Sequence, residues 1–120
     1  MKKLMAYGIV LLIVIVSLVA MVSMESKTQE VQLRVIYGGD WQGAYGDTSG
    51  VMSWSGSGAL TISMERPSGT NIWVVTVNAQ KMDDSGNQLT VQILDANGKI
   101  LKEASTTAPY GVAQTTWIED

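Results

Sequence analysis

Residues 4–24 form one continuous apolar run without a charged side chain, LMAYGIVLLIVIVSLVAMVSM. As an α-helix rising about 1.5 Å per residue, this run is about 31 Å long, which matches the roughly 30 Å hydrocarbon core of a bilayer. Lys2 and Lys3 precede it, and the positive-inside bias places them in the cytoplasm. The sequence therefore predicts a cytoplasmic stub at 1–3, one transmembrane helix at 4–24 and an extracellular remainder.

Two processed forms compete with an uncleaved signal anchor. A cleaved secretory signal has an apolar region of roughly 7–15 residues followed by small residues at the cleavage site, and this run is longer. A pilin-type leader would instead be cut near Gly8, leaving an apolar helix that assembles with copies of itself. The run contains no acidic or amide side chain that would fix the register of such an assembly. An uncleaved anchor in the cell membrane is our leading interpretation.

The part of the chain after residue 24 is acidic and lacks the commonest reactive side chains. It has six Lys and Arg against eleven Asp and Glu, a net charge of −5, and the whole chain has no Cys and no His. An acidic surface disfavours nucleic-acid binding, because affinity for a duplex depends on cations that contact phosphates. Without thiols or imidazoles there are no disulfides, no thiolate nucleophiles and no histidine bases. We therefore expect a non-enzymatic domain that is held together by packing alone.

Past a polar linker at 25–30, apolar and polar residues alternate with the period of two that is typical of half-buried strands. The longest such segment, 72–81, is expected to be central, and Asn97-Gly98 is a hairpin signal. Gly56-Ser57-Gly58 suggests a bulge or kink. We predict an all-β fold, a small antiparallel β-sandwich of seven to eight strands at 31–118, preceded by one N-terminal transmembrane helix. The alternation does not determine the strand order.

This layout resembles that of known membrane proteins. A single span is followed by a small β-domain that opens at 31–37 and contains LTVQILDANGKILKEASTTAPYGVA at 89–113. The pattern resembles small membrane-anchored archaeal proteins of unknown function, and its layout is similar to that of the MmpS proteins, accessory partners of large lipid transporters. The resemblance implies an accessory or structural role and transfers no catalytic residues.

Aromatic side chains beside glycines are the candidate interaction residues, namely Trp41, Tyr45 and Trp54. Aromatic rings anchor protein interfaces and stack on sugar rings, although these three would otherwise cover one end of the core. Trp73 and Trp117 follow strand alternation and are expected in the core. The turn residues offer oxygen atoms suited to Ca²⁺, but such residues also hydrogen-bond their own backbone, which is the interpretation we favour. They are Asp40, Asp47, Asp83, Asp84 and Asn87. We assign no catalytic, cofactor-binding or metal-binding residue.

These observations predict a non-enzymatic, membrane-anchored extracytoplasmic β-sandwich protein that acts in protein–protein interaction. Its expected role is that of an accessory or structural subunit of a cell-envelope or membrane complex, with no nucleic acid, cofactor or small-molecule substrate. The alternatives are a pilin-like filament subunit and a carbohydrate- or Ca²⁺-binding module.

Overall fold

The computed structural model describes residues 28–119, so the predicted stub, the span and residues 25–27 of the linker lie outside the described residues. Residues 28–119 contain no helix with the length and apolarity that a bilayer crossing requires. The described part is all-β and has eight strands: β1 (Glu30–Ile36), β2 (Asp40–Asp47), β3 (Gly50–Ser57), β4 (Leu60–Glu65), β5 (Trp73–Lys81), β6 (Leu89–Asp95), β7 (Ile100–Thr106) and β8 (Val112–Glu119).

The strands form two four-stranded antiparallel sheets that pack as a sandwich. Sheet A has the order β4-β1-β6-β7, and sheet B has the order β3-β2-β5-β8. The pairing is nested, because the β1–β4 pair in sheet A encloses the β2–β3 hairpin in sheet B, and the β5–β8 pair in sheet B encloses the β6–β7 hairpin in sheet A. The predicted all-β sandwich is confirmed, with eight strands.

The core lies between the inward faces of the two sheets. Successive residues of a strand point to opposite faces, so every second residue of β5 lies on one face. All five of these side chains are 0% exposed, namely Trp73, Val75, Val77, Ala79 and Lys81. Alternate residues of β1 in sheet A are equally buried. β5 lies between β2 and β8, so its predicted central position is confirmed.

Turn chemistry explains several of the strand ends. The predicted Asn97-Gly98 hairpin turn is present, with Gly98 at a φ of 87° and its N–H donating to the Asp95 carbonyl at 3.0 Å. Gly58 adopts a φ of 83° after β3 has ended, and there the chain leaves sheet B for sheet A. The pairing of β6 with β7 shifts its register between Ile93 and Leu94.

The two ends of the sandwich differ in what holds them. At the anchor end, which follows the predicted linker, Arg66 Nη1 contacts Glu119 Oε1 at 2.7 Å and donates to the Thr28 carbonyl at 3.3 Å. This guanidinium therefore joins the start of the described chain, the β4–β5 loop and the last residue of β8. At the opposite, far end, Lys81 and Asp83 hold the β5–β6 loop against the loop that contains Tyr110.

We expect Leu33→Ala to destabilise the domain by about 2–5 kcal/mol, because Leu33 is 0% exposed on the inward face of β1 and its truncation leaves a cavity. The same change at Leu60, which is 37% exposed on the neighbouring strand, should cost roughly half as much or less. Urea unfolding of the full chain in detergent measures both. Equal losses of stability in the two variants would contradict the difference in burial between Leu33 and Leu60.

Candidate functional site

The three predicted interaction residues lie together on sheet B. The Trp54 ring contacts the rings of Trp41 and Tyr45, with both centroid distances at 5.0 Å and both pairs edge-on. Trp41 is 1% exposed, and its indole N–H donates to the Gly58 carbonyl at 3.0 Å. Tyr45 and Trp54 are half-buried. Trp41 therefore lies beneath the surface and only the other two reach it, while their role in binding stays a prediction.

Trp54 also forms a hydrogen bond to the backbone of β5. Its indole N–H donates to the Asn78 carbonyl at 3.1 Å, so it reaches across β2, which lies between β3 and β5. Ala44, the register partner of Asn78, donates its backbone N–H to the Asn78 side-chain oxygen at 3.1 Å. Asn78 thus accepts one hydrogen bond at its carbonyl and another at its side-chain oxygen, from two different strands.

This arrangement requires glycine at position 43. Gly43 is the register partner of both Trp54 and Ala79. A Cβ atom on Gly43 would overlap the Asn78 carbonyl oxygen and would lie 2.8 Å from the Ala79 Cα. The close approach of β2 to β5 therefore depends on the missing side chain.

The outer face of sheet B carries an uncharged depression, which we call the outer groove. Three transverse rows of register partners form it: Ser55, Gln42, Gln80 and Val112; Ser53, Ala44, Asn78 and Gln114; Val51, Gly46, Thr76 and Thr116. Two hollows of about 520 and 300 Å³ lie along these rows and meet at Asn78. The small residues Ala44 and Gly46 lie in its centre, and none of these side chains is charged.

Two amide side chains of the outer groove are held in a defined orientation. Asn78 accepts a bond from a backbone N–H, so the accepting atom is its oxygen, Oδ1. Gln80 faces the Tyr110 carbonyl at 3.1 Å, so the atom that donates is its nitrogen, Nε2. These contacts leave the Asn78 amide hydrogens and the Gln80 oxygen available on the same face of β5, two residues apart.

Tyr110 lies in the far-end loop that holds Gln80. It is 55% exposed and has a φ of 53°, a left-handed conformation that is uncommon for a residue other than glycine. Its N–H donates to the Asp83 carbonyl at 2.8 Å, and Gly111 N–H donates to the Ala108 carbonyl at 2.9 Å. Such strain concentrates at functional sites. Nothing in the sequence signals this backbone conformation.

The edge of the sandwich between β3 and β4 is open. Inward-facing side chains line it, although Met52 is 60% exposed and Leu60 is 37% exposed. We define the open seam as Tyr45, Met52, Leu60, Ile62 and Met64. A cleft of about 570 Å³ lies at its anchor end, lined by Tyr45, Met52, Met64, Asp47 and Glu65 among others. On the opposite edge, β7 packs beside β8.

A polar cluster fills the core at the far end. The Tyr37 hydroxyl donates to Asp83 Oδ1 at 2.5 Å and lies 2.9 Å from the Ser85 hydroxyl. The buried Lys81 ammonium donates to the Ser85 carbonyl and to the Thr107 carbonyl at 3.4 Å, and it lies 5.6 Å from the Tyr37 ring centroid. The bond from Tyr37 is the main cause that lowers the pKa of Asp83, while burial is the main cause that raises the pKa of Tyr37.

Two of the acidic turn residues, Asp47 and Asp83, accept hydrogen bonds within the fold. Asp47 accepts from the backbone and hydroxyl of Ser49 and, at 2.9 Å, from the Trp73 indole. Burial opposes ionisation of Asp47, but these bonds outweigh it and lower its pKa. Within residues 28–119, no group of three or more acidic side chains is arranged to hold a metal ion.

Comparison of the chain with protein-family models, curated proteins and solved structures found no match. The resemblance to membrane-anchored archaeal proteins and to the MmpS layout stays a prediction that rests on sequence patterns.

We expect Gly43→Ala to destabilise the domain by roughly 1–3 kcal/mol, as overpacking does, because the added methyl group meets backbone atoms of β5 that have no room to move. Gly86→Ala is the matched control, since nothing lies within 4 Å of a Cβ at that position. Urea unfolding followed by tryptophan fluorescence measures both variants. Equal free energies of unfolding for the two variants would contradict the close approach of β2 to β5.

Tyr37→Phe should flatten the pH dependence of stability at both extremes. In the folded parent the pKa of Asp83 lies below 3.8, so its contribution is present above about pH 4 and is lost as pH falls through the lowered value. The pKa of Tyr37 lies above 10.0, so its contribution is full below pH 10 and is lost at higher pH. Removing the hydroxyl removes the main cause of the Asp83 shift.

Urea midpoints measured across this pH range test the prediction. The stability difference between the parent and Tyr37→Phe should shrink below about pH 4, and Tyr110→Phe, which removes a hydroxyl from an exposed ring, should leave the profile unchanged. Parallel acid profiles for the parent and Tyr37→Phe would contradict the assignment.

Proposed function

We propose that this chain is a non-enzymatic, membrane-anchored accessory protein whose extracytoplasmic β-sandwich binds another protein of the cell envelope through the open seam. The observation that carries the proposal is the uncovered row of inward-facing apolar side chains at the edge between β3 and β4. Edges of this kind accept an extended segment of another protein, whose backbone pairs with the strand while alternate side chains enter the apolar cleft.

The composition of β3 supports this mode of binding. All eight residues of β3, GVMSWSGS, are uncharged, and the strand contains no proline. Proteins commonly protect exposed edge strands with charges, lysine above all, or with proline, and β7 carries Lys102 and Glu103. β3 lacks these protections, so its outer edge remains free to pair with another strand.

The position of the cleft favours a partner that lies at or in the membrane. Met52 and Met64 line the cleft at the anchor end, where Arg66 fixes Thr28. If the span ends at residue 24, as the sequence predicts, at most about 14 Å of extended chain separates it from Thr28. The seam would then lie close to the outer membrane–water boundary, beside neighbouring membrane proteins.

Single-cysteine variants test the orientation and the seam together, because the chain has no cysteine of its own. We expect Ser105→Cys, on an exposed position of β7, to react with a membrane-impermeant maleimide in intact cells. Met52→Cys should react several-fold more slowly in cells than in the purified chain, because the partner covers the seam. A bifunctional reagent attached at Met52→Cys should join one discrete partner, which mass spectrometry identifies.

Each outcome is decisive for one part of the proposal. Labelling of Ser105→Cys only after the cells are broken would contradict the extracytoplasmic orientation. Equal reaction rates of Met52→Cys in cells and in the purified chain would contradict a partner at the seam, provided that Ser105→Cys also reacts equally in both.

A further inference from the structure

We propose that the outer groove is a second binding site, beside the open seam, and that it binds an uncharged oligosaccharide. This inference goes beyond the proposed function, because it assigns a different ligand to a different surface. It rests on four properties of the groove: its neutrality, its volume, its fixed amide groups and its position on the sheet.

The charge distribution selects against ionic ligands. The described domain is acidic, yet the three transverse rows of the outer groove contain only uncharged side chains. An anionic ligand finds no cation there, and a cationic ligand finds no carboxylate. The hollows of about 520 and 300 Å³ fall within the range of roughly 300–1,000 Å³ that is typical of small-ligand sites.

The fixed amides are suited to hydroxyl groups. Asn78 presents N–H donors because its oxygen is bound to Ala44, whereas Gln80 presents an oxygen acceptor because its nitrogen is bound to the Tyr110 carbonyl. A hydroxyl group both donates and accepts, so neighbouring hydroxyls of a sugar can satisfy both amides. Because both side chains are already held, binding would cost little conformational entropy. Ser53 and Ser55 add further hydroxyl partners on β3.

The position of the groove argues against an extended peptide as its ligand. Peptides that join a sheet pair with an edge strand, where backbone groups are free. The outer groove instead crosses β2 and β5, whose backbone groups are engaged on both sides by neighbouring strands. Recognition in the groove must therefore come from side chains, as expected for a ligand rich in hydroxyl groups.

Tyr110 lies in the loop that borders the far end of the groove. Its carbonyl holds Gln80, its ring is 55% exposed, and its backbone conformation is strained. An exposed tyrosine ring offers an apolar face on which a sugar ring stacks, with a polar tip that remains hydrated. The far end lies away from the predicted membrane, so we assign the ligand to an extended glycan chain rather than to a glycolipid headgroup.

The test uses the full chain in detergent and immobilised neutral glycans, namely linear hexose oligomers with α- and β-linkages and oligomers of N-acetylhexosamine. Sulfated and sialylated glycans serve as charged comparators. Vesicles of phosphatidylcholine with a neutral glycolipid test whether the ligand is a glycolipid headgroup. We expect retention of at least one neutral glycan, with a change in fluorescence because Trp54 is hydrogen-bonded to Asn78.

Two variants with controls decide the assignment. Asn78→Asp keeps the oxygen that accepts from Ala44 but loses the N–H donors, and it should weaken retention by at least about tenfold. Tyr110→Gly removes the ring at a backbone conformation that glycine adopts without strain, and it should also weaken retention. Gln32→Glu makes the same amide-to-carboxylate change on the outer face of sheet A and should retain the glycan like the parent.

Retention of no neutral glycan, equal retention by Asn78→Asp and the parent, or binding only to charged glycans or glycolipid vesicles would overturn the inference. Melting curves establish that each variant is folded. The outcome is independent of the seam, because added glycan should protect Ser53→Cys from maleimide and leave the reactivity of Met52→Cys unchanged. A failure of the glycan test would thus be distinguishable from a failure of the protein-partner test.

Discussion

The inward face of β5 is the constraint on which the sandwich depends. In a chain without disulfides, the row from Trp73 to Lys81 runs through the centre of sheet B and is buried throughout. A cation stands at each end of this row. Arg66 lies 5.9 Å from the Trp73 ring centroid at the anchor end, and the Lys81 ammonium binds loop carbonyls at the far end. Both cations act mainly on backbone carbonyls, so they hold loops in place where a secreted domain of this size often uses disulfides.

Asn78 joins the two faces of sheet B. On the inner side, Trp54 packs between Trp41 and Tyr45 and donates to the Asn78 carbonyl. On the outer side, the Asn78 side chain presents its amide to the groove. The Asn78 carbonyl can accept from the Trp54 indole only because Gly43, which lies beside that carbonyl, has no side chain. Trp54 and Tyr45 also line the two hollows of the groove, so the aromatic cluster contributes to its surface as well as to its geometry.

Much of the strand pattern could be read from the sequence, because it depends on local signals. Alternation identified the central strand β5, and the Asn97-Gly98 pair marked a turn that the structure contains. The pairing of distant strands carries no such local signal. The row of Ser53, Ala44, Asn78 and Gln114 comes from four strands, and nothing in any one of them indicates that the others lie beside it. The outer groove could not be predicted for this reason.

The candidate site shows the same limit at the level of single residues. Glycine neighbours drew attention to Trp41, Tyr45 and Trp54, which the structure brings together, but the neighbours did not reveal that Trp41 is covered. Lys81 follows the inward alternation of β5, although lysine is rarely buried. Its burial is explained by the loop carbonyls at the far end that accept hydrogen bonds from its ammonium.

The cleft of the seam lies at the anchor end, whereas the outer groove runs from that end to the loops of the far end, and the nested topology is the cause. Because β2 and β3 form a hairpin inside the β1–β4 pair, the turn of that hairpin and the end of β4 both lie at the anchor end, where they form the cleft of the seam. The loops that follow β5 and precede β8 lie at the far end, where they fix Gln80 and Tyr110. One surface is thus an apolar cleft at the anchor end, and the other is a hydrogen-bonding groove that continues to the far end. The seam is built mainly from inward-facing side chains of β3 and the groove from its outward-facing ones, and the two meet at Tyr45, Gly46 and Val51.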